Sequence, residues 1–242
     1  IGERYRNIDE RRAYLIRCIQ NEDFENREYF DSCLSEFHID PKGRYRMVCI
    51  EINTRYNLVN ISLLEQKVRA FFDRLGEEVY TYIYPNRFAG LVRSEAYDSY
   101  QSVFAGFASD HHQILKLSVG SDKSFEKCGD SWRDAVIAIS SIRGSSQDLV
   151  AFDDLKLEIL LSGISGTARE EYRKKMLGDL KPAEVEFLKT YYDSDMSLKA
   201  TAAKLFLHVN TVQQRLNRIA EKTGMNPRNF RDAVLFWLAM NV

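Results

Sequence analysis

The chain has 242 residues, 45% of them hydrophobic and 29% charged, and its 34 Lys and Arg against 35 Asp and Glu give a formal charge of -1. That composition suits one large core or two smaller ones and excludes a disordered or collagen-like chain. No apolar run approaches the ~20 residues that span a bilayer and no signal-peptide pattern opens the sequence, so a cytoplasmic protein with no membrane partner is expected.

Cys18, Cys33, Cys49 and Cys128 are scattered without CxxC spacing, which predicts buried reduced thiols and neither a metal site nor a cofactor. Ile1 is not an initiator methionine, which points to an upstream segment cut away or absent.

Tyr14, Leu15, Cys18 and Ile19 recur on one side of a first helix, and Phe30, Cys33, Leu34 and Phe37 on one side of a second, leaving Arg11, Arg12 and Arg17 to solvent. Pro41-Lys-Gly43 breaks the pattern before a strand over Tyr45–Ile52. A helix from about Ser62 to Leu75 follows, with Leu64, Val68, Phe71 and Phe72 as its apolar stripe. Val79–Tyr84 and Phe88–Val92 alternate across Pro85-Asn-Arg87, a hairpin signal. Next come a helix through Tyr100, Val103, Phe104 and Phe107, a strand Leu115–Val119, a helix around Trp132–Ile142 and a short strand Leu149–Phe152. The order β-α-β-β-α-β predicts a ferredoxin-like α/β domain within an α+β chain.

Phe152-Asp-Asp-Leu155 opens an apolar helix through Leu157, Ile159, Leu160 and Leu161, interrupted by Ser162–Thr167, with Thr167 as the expected N-cap of a helix ending at Leu177 and closed by Gly178. Pro182 then starts a new helix. Three parts result: an N-terminal helical segment 1–43, an α/β domain 44–180 and an all-α domain 181–242. In the last, Phe187, Leu188 and Tyr191 are expected beneath a pair of helices. The wholly apolar run Ala233–Met240 exceeds what a short tail helix buries alone, so the middle domain or another subunit is expected to cover it.

The most informative stretch is Ser197–Ile219. Leu198, Ala202, Leu205 and Phe206 recur at helical spacing, Phe206-Leu-His208 supplies a short reversal, and Val212, Leu216 and Ile219 form a second apolar stripe, which together predict a helix-turn-helix. The small side chains of Ala202 and Ala203 let the second helix cross closely. Once its stripe is buried, Asn210, Gln213, Gln214 and Asn217 point outward, flanked by Thr211 and Arg218. Amides bond adenine edges in the major groove, and Arg engages guanine or phosphate. Between Lys199 and Arg231 seven Lys or Arg stand against Glu221 alone, a surplus that attracts phosphates. The same groups would equally serve as an ordinary solvated helix face.

Thr201-Ala-x-x-Leu205, His208-x-Asn210-Thr211-Val212-x-x-Arg215-Leu216-x-x-Ile219 and Gly224 together resemble the C-terminal DNA-binding region of the PucR/CdaR family of bacterial transcription regulators, from roughly Glu184 onward. Val209 stands where that family often has a basic residue, and Gln214 where an aromatic is frequent. The resemblance implies a regulator that binds double-stranded DNA; because helix-turn-helix proteins bind paired half-sites, a homodimer or a dimer formed on DNA is expected, with a small-molecule effector as a further candidate partner. Asn210, Thr211, Gln213, Gln214 and Asn217 are candidates for base contacts, and Lys199, Thr201, Lys204, Arg215 and Arg218 for phosphate contacts, with His208 either capping the second helix or reaching a phosphate.

The resemblance also implies a GGDEF-like α/β domain, related to diguanylate cyclases. Such a cyclase needs paired acidic metal ligands after its first strand and a glycine-rich acidic hairpin. Here the strand ends Glu51-Ile-Asn53 and the hairpin reads Tyr84-Pro-Asn-Arg-Phe88, so a non-catalytic domain for dimerisation or signal transmission is expected. His111-His112 reads as a solvated helix end rather than a metal pair, because adjacent helical residues diverge by about 100°. Ser94, Ser140 and Ser141 lie in no GxSxG setting. Two other readings stay open at this level: a metabolite-sensing module whose helical tail mediates oligomerisation, and a residual nucleotide enzyme using Glu51.

Overall fold

Strand β1 (Arg44–Ile52) is buried along nearly its whole length because it is sandwiched between two layers of helix. Its alternation sends Val48, Ile50 and Ile52 to one face, where they meet Val68, Phe71 and Phe72 of α3 (Ile61–Leu75) and Phe104 of α5 (Gln101–Asp110). Tyr45 and Met47 go to the other, against Leu15 and Ile19 of α1 (Gly2–Asn21) and Phe30 of α2 (Arg27–Glu36). The computed structural model describes residues 2–24, 26–53, 61–143 and 145–241, with side chains described from residue 7 onward.

β1 pairs antiparallel with β3 (Arg87–Arg93) on one side, Val48 opposite Gly90, and with β4 (Leu115–Val119) on the other, Ile50 opposite Leu117. β2 (Tyr80–Ile83) adds to β3, and the sheet runs β2-β3-β1-β4-β6, with β5 (Lys123–Ser124) pairing the start of β1 and β6 (Leu149–Ala151) parallel to β4. Helix α6 (Cys128–Ser141) lays Ala135, Ala138 and Ile139 against Cys49. Gly90 is required where it stands: a Cβ there would sit 2.1 Å from Phe72 Cζ.

The expected elements of this unit are present, with a short helix and the short strand β5 as additions and with three corrections. A short helix α4 (Ser94–Ser99) precedes α5, and Tyr100, expected on an apolar stripe, is the exposed residue between them. Arg12 is not solvated; its guanidinium lies 4.7 Å from the Tyr80 ring centroid and pairs with Asp9. His111 is buried, its Nδ1 2.7 Å from the Phe107 carbonyl, while His112 pairs with Asp148 at the surface. All four cysteines are free and buried, and burial pushes the Cys49 and Cys128 thiols up to about 12.

The chain divides into two compact units, meeting between Ser162 at the end of α7 (Leu157–Ser162) and Gly163. The second holds α8 (Gly166–Leu177), α9 (Pro182–Tyr192), α10 (Leu198–Leu205), α11 (Val209–Thr223) and α12 (Phe230–Asn241) around Phe187, Leu188, Tyr191, Leu216 and Phe236. Because Leu177 and Leu180 join that core, α8 belongs with the helices that follow it, upstream of the division read from the sequence at 180/181. Its N-cap is Ser165, not Thr167: the Ser165 hydroxyl accepts from the Ala168 N–H at 3.2 Å. Helix α12 finds its cover inside its own unit for Ala233, Phe236 and Ala239, while Phe230, Val234 and Trp237 stay exposed on the opposite side. Among the described residues no helix is long and apolar enough to cross a membrane.

Candidate nucleic-acid interface

Helix α10 starts at Ser197, whose hydroxyl accepts from the Ala200 N–H. It ends in a Schellman turn: Leu207 N–H donates to the Ala202 carbonyl at 2.9 Å and Phe206 N–H to that of Ala203, with Phe206 left-handed at φ 55°. The chain then extends through His208 (φ -76°, ψ 146°), whose Nδ1 accepts from the Asn210 N–H at 3.2 Å and caps α11. Accepting at Nδ1 leaves the ring proton on Nε2, directed away from the helix end. Gly224, at φ 70°, closes α11.

Val212, Leu216 and Ile219 are sealed in the core, and Asn210, Gln213, Gln214, Asn217 and Arg218 are exposed, with Thr211 half-buried beside them. The amide face is therefore free, backed by a rigid apolar stripe. The side-chain oxygen of Asn217 accepts from Arg228 Nη2 at 2.5 Å, which orients that amide. Arg228 was not among the sequence candidates. It lies in the Asn226–Asn229 turn, outside any periodic element, and no local pattern ties it to a residue eleven positions earlier.

The cations are not equivalent. Lys199 and Arg218 are exposed and have no partner among the described residues. Lys204 Nζ donates to the Asp193 carbonyl at 3.0 Å, and the guanidinium carbon of the exposed Arg215 lies 5.6 Å from the Phe187 ring centroid, a cation–π contact that leaves its N–H groups at the surface. Lys222 is neutralised by Glu184 at 2.6 Å and 2.8 Å, and that contact, with the Lys181 N–H, holds the Glu184 carboxyl below the usual carboxylate range. The local surplus of positive charge is thus smaller than the sequence count.

Two sequence expectations are corrected. Thr201 is 0% exposed and its hydroxyl donates to the Ser197 carbonyl at 2.7 Å, so the i-4 bond and the core take it out of the phosphate set. Phe206, expected on the apolar stripe of α10, is 96% exposed, because the left-handed turn swings it off the helix.

In the first unit Glu51 accepts from Arg87 Nε at 2.9 Å and from Arg143 Nε at 2.8 Å and Nη2 at 2.6 Å. Burial pushes its pKa up, but the hydrogen bonds from Arg143 and Arg87 outweigh burial and hold the carboxyl below its ordinary range. Both of its oxygens are engaged.

A short helix, a left-handed turn and a second helix that buries one stripe and presents amides on the other define a helix-turn-helix protein. Residues 185–242 match the PucR C-terminal helix-turn-helix domain. The chain is 33% identical over 90 residues to the uncharacterised protein YsfB of Bacillus subtilis, covering 36% of this chain and 24% of that one. It is 31% identical over 96 residues to the carbohydrate diacid regulator of Escherichia coli, covering 38% and 25%. The chain thus spans about a quarter of the length of these curated relatives. A solved structure of a regulator of polyketide synthase expression from Bifidobacterium adolescentis aligns over 95% of this chain and 91% of that one, with a TM-score of 0.43 and 19% identity. The resemblance to PucR/CdaR regulators therefore holds, and the C-terminal helices form a PucR-type helix-turn-helix domain.

Proposed function

We propose that the chain is a transcriptional regulator that reads double-stranded DNA by seating α11 in the major groove. The observation that carries this is the exposed row Asn210, Gln213, Gln214 and Asn217, opposite the buried Val212, Leu216 and Ile219. Residues 181–242 serve as the DNA-binding domain. Asn210, Thr211, Gln213, Gln214 and Asn217 read base edges, and Lys199, Lys204, Arg215, Arg218 and the Nε2–H of His208 engage phosphates. Helix-turn-helix proteins pair half-sites through two-fold symmetry, so the working form is a homodimer.

The α/β domain acts without catalysis, in dimerisation or in passing on the signal of a small-molecule effector, in the cytoplasm. Its strand order β2-β3-β1-β4, with one helix crossing before β2 and another after β3, supports a ferredoxin-like, degenerate GGDEF-like fold. The double engagement of Glu51 by arginines supports the non-catalytic role, since a carboxylate so occupied is a poor metal ligand.

Selection from a random duplex pool with the intact chain tests the reading. Enrichment of a paired motif, with half-sites one helical turn or a multiple apart, is the expected result. Recovery of unenriched sequence with no measurable duplex affinity would reject it.

A further inference from the structure

Phe206 combines three features that the apolar framework of the helix-turn-helix does not require. It is 96% exposed, in a unit whose other ring-bearing residues are mostly packed into the core. It is left-handed at φ 55°, a conformation that glycine takes freely and a bulky residue only at a cost. It also sits at the entrance to α11. In the link after it, Leu207 packs on the core, while Phe206 and His208 on either side of it are both exposed at the N-terminal end of α11. A residue placed this way is not explained by folding, because the turn's hydrogen bonds are made by the backbone alone.

We propose that Phe206 is a further DNA-contacting residue, which lays its ring on the apolar edge of the major groove, against the methyl group of a thymine bordering the half-site. Thymine alone among the four bases presents a methyl there, and an aromatic ring is a fitting partner for it. The ring adds an apolar element to a face otherwise made of amides and cations, and widens the footprint of α11 toward its N-terminal flank. The inference rests on the DNA-binding reading above.

The test uses the intact chain and a duplex recovered by selection from the random pool. Phe206→Gly removes the ring and suits the left-handed backbone, so its melting temperature is expected to match or exceed that of the parent. Its affinity for the selected duplex is expected to fall at least about tenfold, as for loss of a buried aromatic contact. Replacing single thymines by uracil deletes the methyl alone; at one position per half-site the parent should lose roughly fourfold, the worth of one methyl, and Phe206→Gly should lose nothing further. Equal affinity of parent and variant, or a flat uracil scan with the parent, overturns the proposal while leaving DNA binding intact. A parent that binds no duplex overturns both.

Discussion

Arg228 and Asn217 are joined side chain to side chain, guanidinium to amide oxygen at 2.5 Å, so the turn that follows α11 steadies an amide on its outward face. Asn217 then offers its NH2 group, and one remaining lone pair, in a fixed direction. Arg228→Ala should relax preference at the same base pair as Asn217→Ala, and the two losses should fail to add by about 0.5 kcal/mol or more. Titrations of parent, single and double variants against single-base duplex variants measure this. Simple additivity, with the loss of Arg228 felt equally at every sequence, would instead place Arg228 on a phosphate.

The unequal standing of the cations gives a second expectation. Arg218 has no partner among the described residues, whereas Lys222 is already matched by Glu184. Arg218→Ala should flatten the slope of log affinity against log salt by about 0.9, one counterion, and Lys222→Ala should change it far less. Gln214→Ala should leave the slope alone and relax one base pair by ~1–3 kcal/mol. Identical slopes for parent and Arg218→Ala would remove that residue from the phosphate set.

Most of the scaffold of this surface was legible because helical periodicity records which side is buried. Val212, Leu216 and Ile219 announce themselves at i, i+4 and i+7, and the amides opposite follow by geometry. What was not legible depends on termini and on contacts between elements. Phe206 fits the apolar spacing of α10, yet the Schellman turn ends the helix one residue earlier and turns it out. Thr201 is polar in sequence, but the close crossing at Ala202 carries it inward with its hydroxyl satisfied by the preceding turn. Arg143 and Glu51 lie 92 positions apart, and only the packing of α6 beside β1 brings the end of one to the end of the other.

Thr201→Val separates the two roles once open to that residue. Valine keeps the shape and loses the hydroxyl, and the Ser197 carbonyl keeps its bond from the Thr201 backbone N–H at 2.9 Å. The expected cost is about 0.5–1 kcal/mol of stability in urea unfolding, with the salt dependence of DNA binding unchanged. A lost phosphate contact would show as a flatter slope at constant stability.

Two glycines make a matched pair in the first unit. A Cβ on Gly90 would collide with the Phe72 ring, which is stacked on Tyr80 at 4.8 Å, whereas one on Gly106 of α5 meets nothing within 4 Å. Gly90→Ala should destabilise by about 1–3 kcal/mol through overpacking, and Gly106→Ala should stabilise by up to about 1 kcal/mol through helix propensity. Denaturant midpoints at constant m-value decide both.

The acid response of the first unit should be traceable to Glu51. Its folded pKa is depressed, so the stability it contributes is fully present above the unfolded value of about 4.3 and is lost as pH falls through the folded value. Glu51→Gln abolishes that titration and leaves the Arg87 and Arg143 guanidiniums without their counter-charge. The variant should therefore be less stable than the parent at neutral pH, by about 1–3 kcal/mol given that Arg143 is half-exposed. The gap should narrow as pH drops below about 4, because the parent then loses the same charge. Unfolding curves of both proteins across pH 2.5 to 7 read this directly, followed by a probe in the α/β unit such as Trp132. A gap that stays constant over the whole range would mean that the carboxylate's charge contributes nothing there, and that the arginines hold Glu51 by shape and hydrogen bonding alone.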